Sequence, residues 1–263
     1  MKNQTLLLVI ITLLVLIILF TLFGSQRMKE GFGNNKETLI VISRYNEDLQ
    51  WLSNEPFNKY PYIVYNKGIN NDYVKSENLK TEVKLENVGR ETHTYLIHII
   101  NNYDNLSDFT IFVPGSLELE NKYERAKRLF DKVENEDNVD MFACILFDRP
   151  VKDTFHDFQI DSYLSSNQNN KSINNDTSMK ESDIRPYGKW YERTFNNVNS
   201  DSKCFTQNSI FGLTKDTILK KPKSYYINLI EQVSEHHNHE TVHYFERSWE
   251  TVFYPYSNVK YVY

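Results

Sequence analysis

Cysteine is scarce in this chain: 263 residues contain two, Cys144 and Cys204. Two are too few for a CxxC-type zinc module or for the disulfide framework of a small secreted scaffold. Glycine (8) and proline (7) are also sparse, which excludes a collagen-like rod. An excess of positive charge is missing as well. A net charge of -5 and a pI near 5.8 argue against a protein built to coat nucleic acid, so no nucleic-acid partner is expected. No G-x-x-x-x-G-K-[ST], G-x-G-x-x-G or G-x-S-x-G occurs, which removes the main support for P-loop, dinucleotide-binding and hydrolase-elbow readings. What is present, 40% hydrophobic and 14% aromatic residues, is the composition of a folded domain. Any chemistry must therefore come from carboxylates, His, Arg and Tyr.

The strongest local signal is Leu6 to Phe23, an uncharged apolar run whose only polar members are Thr12 and Thr21. At about 1.5 Å per residue it spans ~27 Å, close to the thickness of a hydrocarbon core. Residues 1–24 are thus read as a single-pass transmembrane signal-anchor, the run being too long for a cleaved signal peptide and lacking an A-x-A-like site. Residues 25–37, with Gly31, Gly33 and paired Asn, read as a stem. Orientation is left open by two opposed signals. Lys2 precedes the span while Arg27, Lys29 and Lys36 follow it, favouring a cytosolic body. Asn105, Asn170 and Asn175 each begin an N-x-S/T sequon, which suits a lumenal glycoprotein.

Beyond the stem, the pattern over residues 38–263 alternates strand and helix. Strands are predicted at Thr38 to Ser43, Tyr62 to Tyr65, Phe109 to Val113, Met141 to Phe147 and Ser209 to Leu213. Helical spacing covers Glu91 to Tyr103, Leu117 to Val133, Tyr226 to Val233 and Val242 to Phe253, the last taken as one terminal helix after which the sheet ends. This alternation predicts an α/β sandwich with a mainly parallel central sheet. Residues 162–183 are nearly all Ser, Asn, Gln and Asp, and are read as an exposed insertion too polar to bury anything.

Three constellations are candidates for chemistry. Ser43-Arg44-Tyr45-Asn46-Glu47-Asp48 follows the first strand, where ligands of open α/β sheets bind; Arg44 is of a type that neutralises phosphate, and Asn46 or Asp48 caps the next helix. Asn87-Val88-Gly89-Arg90-Glu91 places Gly and Arg at a helix N-terminus, which favours anions. His243, Glu246 and Glu250 share a stripe on the terminal helix, so Glu246, beside Arg247, can present a carboxylate as general base at the sheet edge. The segment His239-Glu240-Thr241-Val242-His243 matches the zinc motif H-E-x-x-H, but no third ligand follows, and it reads as a polar helix start.

The ordered segments SRYNEDLQWL, NVGRETHTYLIHIINNYDNL, FTIFVPG, SIFGLTKDTILKKPKSYY and HYFERSWETVF resemble an uncharacterised family of fungi and large DNA viruses, domain of unknown function 3431. Its members look distantly similar to glycosyltransferases of the GT-A fold, an α/β sandwich that binds nucleotide-diphosphate sugars. The resemblance implies Arg44, Asn46 and Glu47 beside the nucleotide, and Arg90 and Glu91 near the diphosphate or sugar. It also implies Glu246 in the acceptor site, beside which the helical spacing sets His243 and Arg247. It further implies a type II protein with its body in the secretory lumen, or on a host membrane or virion if the chain is viral. GT-A enzymes use a divalent metal, Mn or Mg, held by a D-x-D after the central strand. Here Val113-Pro114-Gly115-Ser116 stands in that place, and no metal ligand is assigned. The expected activity is transfer of a sugar from a nucleotide sugar to a glycan or protein hydroxyl. The alternative is a non-catalytic, membrane-tethered binding or virion-surface protein on the same fold.

Overall fold

Thr38–Arg44 (β1) is apolar at consecutive positions because both its faces are covered: Leu39 and Val41 point into one core, Ile40 and Ile42 into another. The computed structural model describes residues 36–134, 140–163 and 178–262. The expected membrane span and most of the stem lie outside the described residues. Within them, no helix is long and apolar enough to cross a membrane.

The chain is an α/β protein with one seven-stranded mixed sheet. Besides β1, the strands are Tyr62–Asn66 (β2), Leu79–Lys84 (β3), Phe109–Pro114 (β4), Met141–Ile145 (β5), Phe211–Thr214 (β6) and Asn258–Val262 (β7). Their order is β3-β2-β1-β4-β6-β5-β7. Only β6 runs against its neighbours β4 and β5; every other pairing is parallel. The chain steps outward from β1 to β2 and β3, then returns to the other side of β1 as β4. That reversal creates a switch point between β1 and β4, where loops leaving the carboxyl ends diverge and open a crevice.

One face of the sheet is covered by Arg90–Asn101 (α1), Val151–Thr154 (α2), Tyr187–Phe195 (α3), Lys223–Glu231 (α4), Glu240–Glu246 (α5) and Trp249–Val252 (α6). The other is covered by the helix Glu120–Glu134, which joins β4 to β5, and by the tight turns carrying Trp51, Leu52 and Phe57.

Four expectations from the sequence are revised here. Strands β3 and β7 were not anticipated, because each is an edge strand carrying polar residues on one side, so neither makes a continuous apolar run. The terminal helix is two short helices, broken at Arg247-Ser248, where the Arg247 guanidinium folds back onto the His243 carbonyl. Glu250 consequently leaves the stripe of Glu246 and turns into a separate buried cluster. The described ends of the 162–183 stretch pack rather than float: Ser182 is buried, Lys180 bridges to His239, and the Tyr163 ring lies against His243. At these described ends the Tyr163 and Ser178 carbonyls accept from Asn238, and the Ser182 amide donates to Glu240.

The two cysteines, too few for a framework, nevertheless pair with each other. The Cys144–Cys204 disulfide ties β5 to the segment ahead of β6, closing 60 residues of sequence. Beside it, the Glu250 carboxylate is buried and accepts from Ser202 Oγ, the Cys204 amide and the Tyr256 hydroxyl. A loop of that size corresponds to about 4 kcal/mol of stabilisation by the chain-entropy account. Urea unfolding of the Cys144→Ser/Cys204→Ser variant is expected to show a loss approaching that size, and an unchanged midpoint would show that the cross-link adds nothing.

Candidate functional site

Arg44 ends β1 with its side chain fully buried. Its Nε donates to the Glu47 carbonyl at 2.7 Å, and one terminal nitrogen donates to Asn66 Oδ1 at 2.9 Å and to the Asn70 carbonyl. The guanidinium plane stacks on the Tyr73 ring at 4.3 Å. Arg44 therefore clamps the loop after β1 to the loop after β2, and burial, only partly offset by Glu47 and other nearby groups, pulls its pKa down. Its second terminal nitrogen has no partner.

Within that clamped loop, Glu47 turns its carboxylate onto its own backbone, accepting from the Tyr45 and Asn46 amides at 2.7 and 3.2 Å. The same oxygen faces Gly115 at the end of β4, where a Cβ would approach it to 2.9 Å, so a side chain there would have to displace the Glu47 carboxylate. Asn46 is buried, and neither its amide nitrogen nor its oxygen has a hydrogen-bond partner. A buried carboxamide with both ends unsatisfied is costly, so Asn46 has a donor and an acceptor free for a water or a ligand.

The second constellation is strained. Gly89 and Arg90 both adopt left-handed backbone, with φ of 56° and 46°, an arrangement uncommon for arginine. Lys67, from the loop after β2, holds this turn by donating its ammonium to the Val88 and Arg90 carbonyls. Burial pushes the Lys67 ammonium down to about 7, with Glu91 opposing and Arg90 adding to the fall. Strained backbone of this kind is retained where the surroundings over-determine it, and it aims the side chain. Arg90 accordingly lies over the Tyr163 ring at 4.6 Å and near Asn238 Oδ1 at 3.5 Å, with Glu91 Oε2 3.8 Å away. Glu91 in turn accepts from Ser209 Oγ at 3.5 Å.

Tyr163 links this turn to the third constellation, its ring stacking on His243 at 4.7 Å. His243 Nδ1 is 3.6 Å from Glu246 Oε2, and its buried Nε2 has no partner. Burial pushes the Glu246 carboxyl up, but His243, Arg247 and Arg90 together outweigh it and hold the group below the usual carboxylate range. The side chain retains 17% exposure, so it is still reachable. Arg247 stands behind it, boxed by Phe158, Phe155 and Phe205 with the Phe158 centroid at 3.7 Å, and it buttresses the carboxylate from within the core.

Arg90, Glu91, His243, Glu246 and Arg247 are thus brought together, with Glu47 facing the same crevice from the β1 side. Arg44 is turned away into its clamp. Three contributors carried no signal in the sequence: Lys67, Tyr163 and Lys122. Lys122 sits in the first turn of the helix after β4 and donates to Ser116 Oγ at 2.6 Å. Burial lowers its pKa, while Glu91, Glu47, Glu118 and Glu246 act against that. The H-E-x-x-H segment has a structural use: His239 caps its helix, and the fully buried Glu240 accepts from the Ile160 and Ser182 amides, the Tyr244 hydroxyl and Arg185.

The chain belongs to the family described as Protein of unknown function (DUF3431), which matches residues 39–260. No curated protein matches it.

Two histidines near the site make stability pH-dependent. His93 is pushed down to about 4 by burial and by Lys67, and His98, which faces the Tyr65 hydroxyl at 3.0 Å, is pushed to about 4 by burial alone. Both are depressed below 6.5, so the stability they confer is complete above that pH and is lost as pH falls towards 4, because the unfolded chain takes up protons first. For His98 alone the displacement is worth about 3 kcal/mol. Urea midpoints measured between pH 7 and 4.5 are expected to fall, less steeply in His98→Gln, and a flat profile would contradict the buried neutral imidazoles.

Proposed function

We propose that this protein is a membrane-anchored glycosyltransferase that moves a sugar from a nucleotide-diphosphate donor to a hydroxyl of a glycan or protein acceptor, on a GT-A-like sheet. The observation that carries the reading is the meeting of Arg90 and Glu246, 156 positions apart in sequence, in one charged crevice beyond the carboxyl ends of β1 and β4. The order β3-β2-β1-β4 supports it, since that half-sheet is the arrangement in which mononucleotides bind at the switch point. The unsatisfied Asn46 carboxamide, offering a donor and an acceptor side by side, suits the edge of a nucleobase.

In this reading the acceptor oxygen attacks the anomeric carbon and forms the new glycosidic bond. The bond from that carbon to the diphosphate oxygen breaks, and its electron pair leaves with the nucleoside diphosphate. The acceptor proton passes to Glu246, whose ionised carboxylate is oriented by His243 and Arg247. Arg90 faces the diphosphate and sugar. A lumenal body is supported by the Cys144–Cys204 disulfide, a bond rare in reducing compartments, and by the exposed Asn105 of the first sequon. The anchor at 1–24 and the type II orientation belong to the same proposal.

The test uses the full chain in detergent with UDP-glucose, UDP-galactose, UDP-N-acetylglucosamine and GDP-mannose, following release of nucleoside diphosphate. Glu246→Gln is expected to preserve donor binding and to slow turnover by about 10²- to 10⁴-fold, the usual contribution of a general base. Arg90→Ala is expected to weaken donor binding. A Glu246→Gln protein with unreduced turnover would remove Glu246 from the chemistry, and no binding or turnover of any donor would favour the non-catalytic alternative.

A further inference from the structure

GT-A-type chemistry places a divalent cation against the donor diphosphate, held by carboxylates that follow the central strand. The residues of this chain do not fit such an ion. Pro114-Gly115-Ser116 at the exit of β4 carries no D-x-D pair; Glu47, which faces Gly115, is already engaged by the Tyr45 and Asn46 amides, and Glu118 follows only later in the loop. Among the described residues, the group with metal-ligand atoms gathered closely enough to hold an ion is Cys144, Cys204 and Glu250, and its two sulfurs are bonded to each other.

A different cation stands at the β4 exit. The Lys122 ammonium is bonded to Ser116 Oγ at 2.6 Å, and it interacts with carboxylates from four separate elements of the crevice: Glu91 from α1, Glu47 from the loop after β1, Glu118 from the loop after β4, and Glu246 from α5. Two side chains that are nine-tenths buried or more, on the loop after β1 and on α5, leave polar atoms unpartnered: the Asn46 carboxamide and the Nε2 of His243. The crevice is therefore built around a fixed positive charge, with hydrogen-bonding capacity unspent.

We infer that Lys122 takes the place of the divalent metal, neutralising the donor diphosphate so that nucleotide-sugar binding by this chain is metal-independent. The inference rests on the glycosyltransferase reading and specifies its site. An ammonium on a phosphate oxygen forms a charge-assisted hydrogen bond and acts as a point charge, which suits an anion whose charge is spread over several oxygens. Ser116 fixes the ammonium at the switch point, and the carboxylates offset part of the cost of its burial. When the bond from the anomeric carbon breaks, the charge that gathers on the leaving diphosphate meets a cation already in position.

Calorimetric titration of the full chain in detergent with UDP and with GDP, in EDTA and again in manganese chloride, tests this without altering the protein. At least one nucleotide is expected to bind with affinities differing by less than about twofold between the two conditions. Lys122→Ala is expected to weaken that binding by about tenfold or more in EDTA, and Lys122→Arg to retain most of it. Thermal unfolding of each variant separates lost binding from lost fold, and the comparison of EDTA with manganese stands even if Lys122→Ala does not fold. Binding that requires manganese, or that is unchanged in folded Lys122→Ala, overturns the inference while leaving the glycosyltransferase reading intact. Absence of binding by either nucleotide in both conditions overturns the two together.

Discussion

A guanidinium carried into full burial at the end of β1 sets the geometry on which the rest of the crevice depends. Burying a charge is costly unless it is hydrogen-bonded, and Arg44 recovers most of that cost by drawing in the Glu47 carbonyl from one side and Asn66 and Asn70 from the other. The loop after β2 is thereby fixed, and with it Lys67, the residue that follows Asn66. Lys67 holds the left-handed Gly89-Arg90 turn by its carbonyls, and that turn aims Arg90 at Tyr163 and towards Glu246. One buried cation thus orients another that remains partly open, through two loops and no direct contact.

The resulting site is close to electrically balanced, with Lys67, Arg90, Lys122 and Arg247 set against Glu47, Glu91, Glu118 and Glu246. Balance of this sort lets ionised groups stay charged in a partly desolvated place, and it leaves little reorganisation to be done when charge moves during a reaction. The aromatic box behind Arg247 and the bonds from Thr206 and Tyr187 to the Glu246 and Arg247 carbonyls hold the short terminal helices in register with α1. Rigidity at the base and exposure at the carboxylate tip suit a group that must meet a substrate.

The central strands were legible in the sequence because β1 and β4 are buried on both faces and so read as uninterrupted apolar runs. Edge strands β3 and β7 were not, since half of each faces solvent and alternation over five or six residues is a weak signal. The break at Arg247-Ser248 was hidden because Val242, Phe245, Trp249 and Phe253 keep helical spacing across it, and nothing local marks the stop. At the site, Glu246 stood out by the stripe it shares with His243, and Arg90 by its place at an element end. Arg44 stood out for the same reason, yet sequence alone does not distinguish an arginine that meets a ligand from one that clamps two loops. Lys122 lies on a helix rich in charge, where one lysine looks like its neighbours, and only the path of β4 shows that it faces the crevice.

The central claim is that the ligand site is the crevice beyond the carboxyl ends of β1 and β4. Its most direct test is a crystal structure of the chain with UDP or GDP bound. The account predicts the diphosphate within hydrogen-bonding distance, about 3 Å, of the Lys122 ammonium, with Arg90 and Glu246 on the side where the sugar would continue. A nucleotide bound at the amino edge of the sheet, or beside the Cys144–Cys204 bond, would contradict it.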